Sequence, residues 1–242
     1  MKTILTGLAV AIGLCLSAPT TAATIESIEA RIGLGLTPDL QGFPAFFANG
    51  FVQGSTSHTD TITFSDGLVE VDYDLTIAAF DAAGAPAGLI VNNQATGVEL
   101  GVNNSQIDAG ESIVVTYNAI TPIVIGVPPF PLMVDLGSIE HTLSSIAFAA
   151  FTSGTDTYTY SGVGAGVATG DDTSTLTFVP PTEVTGGDSF TITADSGAFR
   201  ALFISQATSY ELLPDPNLVP EPASVGLAAL GLAAAAATRF RK

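Results

Sequence analysis

The sequence predicts an all-β body, an antiparallel β-sandwich of the jelly-roll sort, between an N-terminal secretory segment and a C-terminal apolar helix. Three observations carry that expectation. Apolar and polar residues alternate with period two through many short runs, the spacing of a strand with one buried and one wet face. Turn-forming clusters separate the runs, among them Ser65-Asp66-Gly67, Asp81 to Gly84, Ser153-Gly154 and Gly170-Asp171-Asp172. Helix signals are few, so little in the chain offers the crossovers that a parallel sheet needs.

The chain opens on Met1-Lys2, an apolar run from Ile4 to Leu16 and small residues up to Ala22 and Ala23. A basic start, a short apolar core and a small-residue cleavage point describe a signal peptide over residues 1–23, cut after Ala22 or Ala23. Cys15 is the single cysteine, and Leu14 precedes it where a lipoprotein signal needs a small residue. Cys15 therefore leaves with the signal. The mature exported chain then has no disulfide, no cysteine zinc site and no thiol nucleophile.

Residues 24–211 form one domain-sized body, long enough to bury a core without staples. Ile25 to Ile32 reads as a helix or a strand, and Pro38 to Phe51 as a loop or short helix. Leu68 to Phe80 is the clearest strand, with Val69, Val71, Tyr73, Leu75 and Ile77 on one face and Glu70, Asp72, Asp74 and Thr76 on the other. Thr59–Phe64, Thr155–Tyr160, Thr173–Phe178 and Ser189–Ala194 repeat the pattern with Thr on the wet face. Ser112–Tyr117, Ile120–Val127, Leu143–Phe151 and Phe199–Ser205 are more continuously apolar, which suits central strands or strands covered on both faces. Gly162 to Gly166 reads as a loop. Residues 212–218, with Pro214 and Pro216, read as a stiff linker.

Charge narrows the function classes. All 23 acidic residues, but only Arg31 and Arg200 of the six basic ones, lie between Thr24 and Pro222, a balance of −21. Phosphate backbones are held by Lys and Arg, so nucleic acid is not a partner. Acidic repulsion favours solubility, and the same charge recruits cations.

Candidate chemistry is sparse. His58 and His141 are the two histidines; neither has a second His at zinc-ligand spacing, and His141 reads as an exposed strand-end residue. No Gly-x-Ser-x-Gly elbow accompanies a nucleophile. Asp72/Asp74 and Asp171/Asp172 are carboxylate pairs that could serve glycoside hydrolysis only if two acids faced each other across a cleft, and Asp72 and Asp74, two apart on a strand, share one wet face. The body therefore reads as non-enzymatic. With no Trp and aromatics that are mostly Phe in apolar strands, sugar binding would rest on polar loops. The Thr-x-Thr strands admit an ice-binding reading, against the ordinary wet-face role of Thr. Asn103, Asn104, Asp108 and Glu111 gather oxygen donors in a Gly-containing loop, which suits either a weak structural Ca²⁺ or a plain turn built on Asn and Asp side chains.

The tail has its own physics. Pro220 and Pro222 hold Glu221 in an extended presentation. Residues 223–238 carry no ionisable side chain and span roughly 24 Å as a helix, short against a hydrocarbon core of about 30 Å. Arg239, Arg241 and Lys242 form a basic stop of the kind that holds a terminus on the cytoplasmic side. In this order the pieces over 219–242 resemble the PEP-CTERM sorting signal of Gram-negative bacteria. That resemblance implies recognition by exosortase, a membrane cysteine protease, with the inner membrane as a transient station. A second, looser resemblance links Gly97 to Val102, Asn103 to Gln106, Ile107-Asp108-Ala109-Gly110-Glu111-Ser112 and the later Gly187-Asp188-Ser189-Phe190-Thr191-Ile192 and Ala198-Phe199-Arg200-Ala201-Leu202 to β-sandwich domains of PEP-CTERM surface proteins. It implies a fold and no activity. The expectation is an exported structural or adhesive protein of the cell surface or extracellular matrix, or alternatively an exopolysaccharide-binding module.

Overall fold

The computed structural model describes residues 23–37, 44–94, 97–125, 136–170 and 172–213. Most of the signal peptide, the cleavage residue Ala22, and the whole tail with Pro220, Glu221, Pro222, Arg239, Arg241 and Lys242 lie outside the described residues. The chain divides into one compact unit of Ile25–Leu132 with Ser138–Tyr210 and a second of Met1–Thr24, Met133–Gly137 and Glu211–Lys242. The first is the body. Of the second, little beyond the ends of three strands is described.

The described residues form strands and no helix. In order they are β1 (Thr24–Gly33), β2 (Ser57–Ser65), β3 (Val69–Phe80), β4 (Pro86–Ala87), β5 (Leu89–Gln94), β6 (Gly97–Val102) and β7 (Ile107–Asp108). There follow β8 (Ser112–Val124), β9 (Leu136–Ala149), β10 (Thr157–Gly162), β11 (Ala168–Thr169), β12 (Thr175–Glu183), β13 (Ser189–Ser196) and β14 (Ala198–Leu212). An eight-stranded sheet runs β11-β12-β9-β14-β6-β5, with β1 and β7 also paired to β14. A six-stranded sheet runs β10-β13-β8-β3-β2, with β4 paired to β3. Antiparallel pairing holds within both sheets. The all-β sandwich expected from alternation is the observed fold.

The alternation of β3 is realised without a break: Val69, Val71, Tyr73, Leu75, Ile77 and Ala79 are each fully buried and their neighbours face outward. Burying each large apolar side chain contributes about 1.5–3 kcal/mol. The strands read as central do lie inside the sheets, with β8 between β13 and β3, and β9 and β14 flanked on both sides. Ile25 to Ile32 resolves as strand, and the chain from Pro44 onward forms turns that bury Phe46 and Phe47.

The run Ser112–Tyr117 and the first part of the run Ile120–Val127 merge into the single strand β8, which ends at Val124; residues 126 and 127 lie outside the described residues. The pairing shifts between Leu75↔Tyr117 and Asp74↔Ala119, leaving Asn118 as the extra residue of a β-bulge. Without it, Tyr117 and Ile120 could not both point inward, because side chains alternate strictly along a regular strand. The far end of β8 departs from the expectation of a covered strand: Ile123 and Val124 are 40% and 41% exposed. Beyond them β3 offers no further residue, since Val124 pairs with its first, Val69. At the other end of the apolar set, β9 stops at Ala149 because Ala150 takes a positive φ of 55°.

Candidate functional site

The loop singled out in the sequence is drawn together by its own hydrogen bonds. The side-chain amide of Asn103 donates to Glu111 Oε1 at 3.0 Å, and that of Asn104 to Asp108 Oδ2 at 2.5 Å. Backbone N–H groups use three of the other side-chain oxygens: Gly88 donates to Asn103 Oδ1 at 3.1 Å, Gln106 to Asn104 Oδ1 at 2.7 Å and Asp108 to Glu111 Oε2 at 2.9 Å. Asn103 takes a positive φ of 51°, which Asn tolerates better than most residues. Gly101 is required under this turn, since a Cβ there would stand 2.5 Å from the Gln106 nitrogen. These four residues therefore work first as a turn that satisfies itself.

This loop is also where the stretches Gly97 to Ser112 and Ala198 to Leu202 meet. Ala198 and Phe199 at the start of β14 pair with Asp108 and Ile107, and Ala201 pairs with Leu100. Across that seam Arg200 forms an ion pair with Glu99, which is only 7% exposed. Opposite charges on a buried strand face satisfy each other here, and removing either leaves a buried charge without its counter-ion. The other body cation, Arg31, lies with its guanidinium 3.5 Å from the centre of the Phe203 ring.

A line of polar contacts crosses the core between the sheets. Inward residues of β14 hold groups of the six-stranded sheet and of the Asp66 turn: Gln206 Oε1 accepts from Tyr117 at 3.0 Å, Thr208 Oγ1 lies 2.5 Å from the Tyr73 hydroxyl, and the Tyr210 hydroxyl donates to Asp66. His141 joins at Thr208, its Nδ1 2.7 Å from the same oxygen. His141 is thus half-buried within β9, with Tyr73 at 6.1 Å between ring centroids, which corrects the strand-end reading. The strand begins at Leu136, ahead of the apolar run Leu143–Phe151, and so takes in His141.

Burial pushes the Tyr73 hydroxyl up to about 12, partly offset by Thr208, and pushes Tyr117 well above the usual range. Burial lowers His141 below its ordinary value, with Glu183 pulling the other way. At Asp66 burial raises the carboxyl, but hydrogen bonds from Tyr210 and from the N–H groups of Val69 and Leu68 outweigh it and hold it low. His58 is elsewhere, ringed by Phe46, Phe47 and Phe51 at 5.4–5.5 Å, with its Nε2 shielded from water and without a hydrogen-bond partner. The two histidines sit in separate places, and among the described residues no three His, Cys, Asp or Glu side chains are grouped to hold a metal ion.

The outer face of the six-stranded sheet was legible only strand by strand. Pairing turns its isolated Thr residues into rows. Ser189, Thr116, Thr76 and Thr59 lie abreast across β13, β8, β3 and β2. Neighbouring positions put Thr63 against Asp72 and Thr61 against Asp74. Lateral bonds tie the array, with Thr59 and Thr76 hydroxyls 2.7 Å apart, Thr63 donating to Asp72 at 2.6 Å and Asn118 to both Asp74 and Thr76. Asp72 and Asp74 thus share one wet face, as the alternation required. No Lys or Arg occurs in any strand of this sheet. At its β10 edge the surface dips into a cleft of about 590 Å³, whose lining includes Thr159, Tyr160, Asp172 and Asp195. Asp171 lies outside the described residues.

Fold and charge together define an acidic, antiparallel two-sheet sandwich followed by a chemically distinct tail. That tail matches the family model described as the PEP-CTERM protein-sorting motif, over residues 218–242. The match spans Pro220-Glu221-Pro222, the apolar segment and the basic end. The motif implies export through a membrane-anchored intermediate to the cell surface, with an exosortase as the processing partner. No curated protein matches the chain. Among the described residues no helix is long and apolar enough to cross a membrane, and the predicted helix 223–238 lies outside them.

Proposed function

We propose that this is a non-catalytic structural or adhesive protein of the surface or extracellular polysaccharide matrix of a Gram-negative bacterium. It is held briefly in the inner membrane and released when an exosortase cuts near Glu221. The observation that carries the reading is the ordered tail, a Pro-Glu-Pro elbow, an apolar segment and a basic stop inside the matched residues 218–242. The body fits this role through what it offers to solvent: a strongly acidic surface that resists self-association, without a need for disulfides or thiols. In cells lacking the exosortase, the protein is expected in the membrane fraction with Arg239, Arg241 and Lys242 still attached. Normal release in such cells contradicts the reading.

A second reading, a polysaccharide-binding module, is favoured by one observation. The hydroxyl and carboxylate rows of the six-stranded sheet form a broad face of hydrogen-bonding groups with no Lys or Arg in its strands. Such a face can exchange its water for the hydroxyls of a sugar polymer.

A further inference from the structure

The cleft at the β10 edge differs from the rest of the wet surface in being concave and mixed in chemistry. Thr157, Thr159 and Thr169 bring hydroxyls, Asp172 and Asp195 bring carboxylates, and Ala165, Ala168 and Leu176 bring small apolar area. Thr159 donates to Asp195 Oδ2 at 2.8 Å, which fixes that carboxylate while leaving Oδ1 for another donor. The tyrosine hydroxyls are already used: Tyr158 donates to the Gly170 carbonyl at 2.7 Å and Tyr160 to the Val163 carbonyl at 2.5 Å. Those bonds tie the segments after β10 back onto the strand, with the Tyr158 ring buried beneath the cleft and the half-buried Tyr160 ring as its wall. The volume, about 590 Å³, falls in the range of small-ligand clefts, roughly 300–1,000 Å³.

We propose that this cleft binds a short stretch of a polyhydroxylated chain without anionic groups, a neutral or amine-bearing saccharide. The proposal rests on the second reading above and gives that reading a site. Carboxylates accept strong hydrogen bonds from sugar hydroxyls or ammonium groups, Thr hydroxyls both donate and accept, and the half-buried Tyr160 ring with Ala165 and Ala168 offers apolar area to the face of a sugar. Uronate, sulfate and phosphate polymers are excluded, because the lining holds two carboxylates and no Lys or Arg. The cleft's two flanking strands are sheet edges, since β10 and β11 each end their sheet's order. An added peptide strand is the competing occupant. It is disfavoured because β10 has only six residues and its pairing is irregular between Thr157 and Tyr158, features that blunt an edge against strand addition.

The test titrates the full chain, in detergent, with three oligosaccharide sets: neutral glucans, glucosamine oligomers and galacturonate oligomers. Asp172→Asn/Asp195→Asn and, separately, Thr169→Val are compared with the natural chain, and thermal melts confirm that each variant is folded. The expected result is binding of neutral or glucosamine oligomers, no binding of galacturonate, and a loss of affinity of about tenfold or more in the double Asp variant. Binding left intact by both variants overturns the cleft while sparing the saccharide reading. A natural chain that binds none of the three sets overturns both. Galacturonate binding, or displacement of bound sugar by an extended peptide, overturns the proposed chemistry.

Discussion

The tail and the body encode their meaning in opposite ways. In residues 218–242 the message lies in order along the chain: an elbow, an apolar stretch and a charge stop, each of which acts through its own chemistry whatever lies upstream. In the body the message lies in pairing. A Thr on β2 means little until its register places it beside Thr76 and, on the next two strands, Thr116 and Ser189. A sorting signal is read by a membrane machine as a short linear segment, so selection acts on neighbours in sequence. A sheet surface is met by a partner only after folding, so selection acts on neighbours in space. This difference teaches why the address of this protein is easier to read than its work.

The sharpest way to break the comparison is to damage each region and ask whether the other notices. Replacing Pro220, Glu221 and Pro222 with Ala is expected to abolish processing and to leave a membrane-retained protein whose body melts as before. Fractionation and intact mass measure the first, and a thermal melt of the retained protein measures the second. The converse is Arg200→Ala, which strands Glu99 as a buried charge and is expected to cost about 3–5 kcal/mol. Chemical denaturation reads that loss, while the sorting step should remain competent in whatever fraction is exported. Glu99→Leu combined with Arg200→Met should recover most of the loss, since apolar groups can replace a buried ion pair.

Within the body the contrast between wet face and core can be sharpened at β14. Thr208→Val removes the oxygen that serves both Tyr73 and His141, and is expected to destabilise by about 1–3 kcal/mol for each buried polar group left without a partner. A smaller effect follows from His141 itself. Burial holds its folded-state value below the ordinary 6.5, so the native state keeps it neutral while the unfolded chain takes up a proton first. Its contribution is present above the unfolded value, is lost as pH falls through that value, and levels off below the folded one. Melts between about pH 7.5 and about pH 5 should show a steeper decline for the natural chain than for His141→Gln. The smallest effect concerns the Asn103–Glu111 loop. Its oxygens already accept five internal hydrogen bonds, so chelator followed by calcium should leave the melting curve unmoved. A rise with calcium would show the metal replacing those donors.

Much of the fold was legible because alternation reports burial directly, as in β3, where each predicted inward residue is inside. Three things were not. Asn118 could not be recognised as a bulge, because the extra residue is defined only against its partner Asp74–Leu75. His141 looked exposed because it follows Glu140 in sequence, whereas its environment comes from Thr208, 67 residues away. The pairing of Glu99 with Arg200 was hidden for the same reason, although the sequence stretches that hold both were singled out. The candidate site divides the same way. Pro220, Glu221 and Pro222 were visible as letters, while Thr159, Asp172 and Asp195 form a cleft only because two sheet edges come together.

The most direct measurement is the intact mass of the mature protein recovered from the cell surface. The account predicts a chain that begins at Ala23 or Thr24 and has lost Arg239, Arg241 and Lys242 together with the apolar segment before them. A surface protein that still carries its basic terminus would contradict it, leaving an acidic sandwich on a permanent anchor.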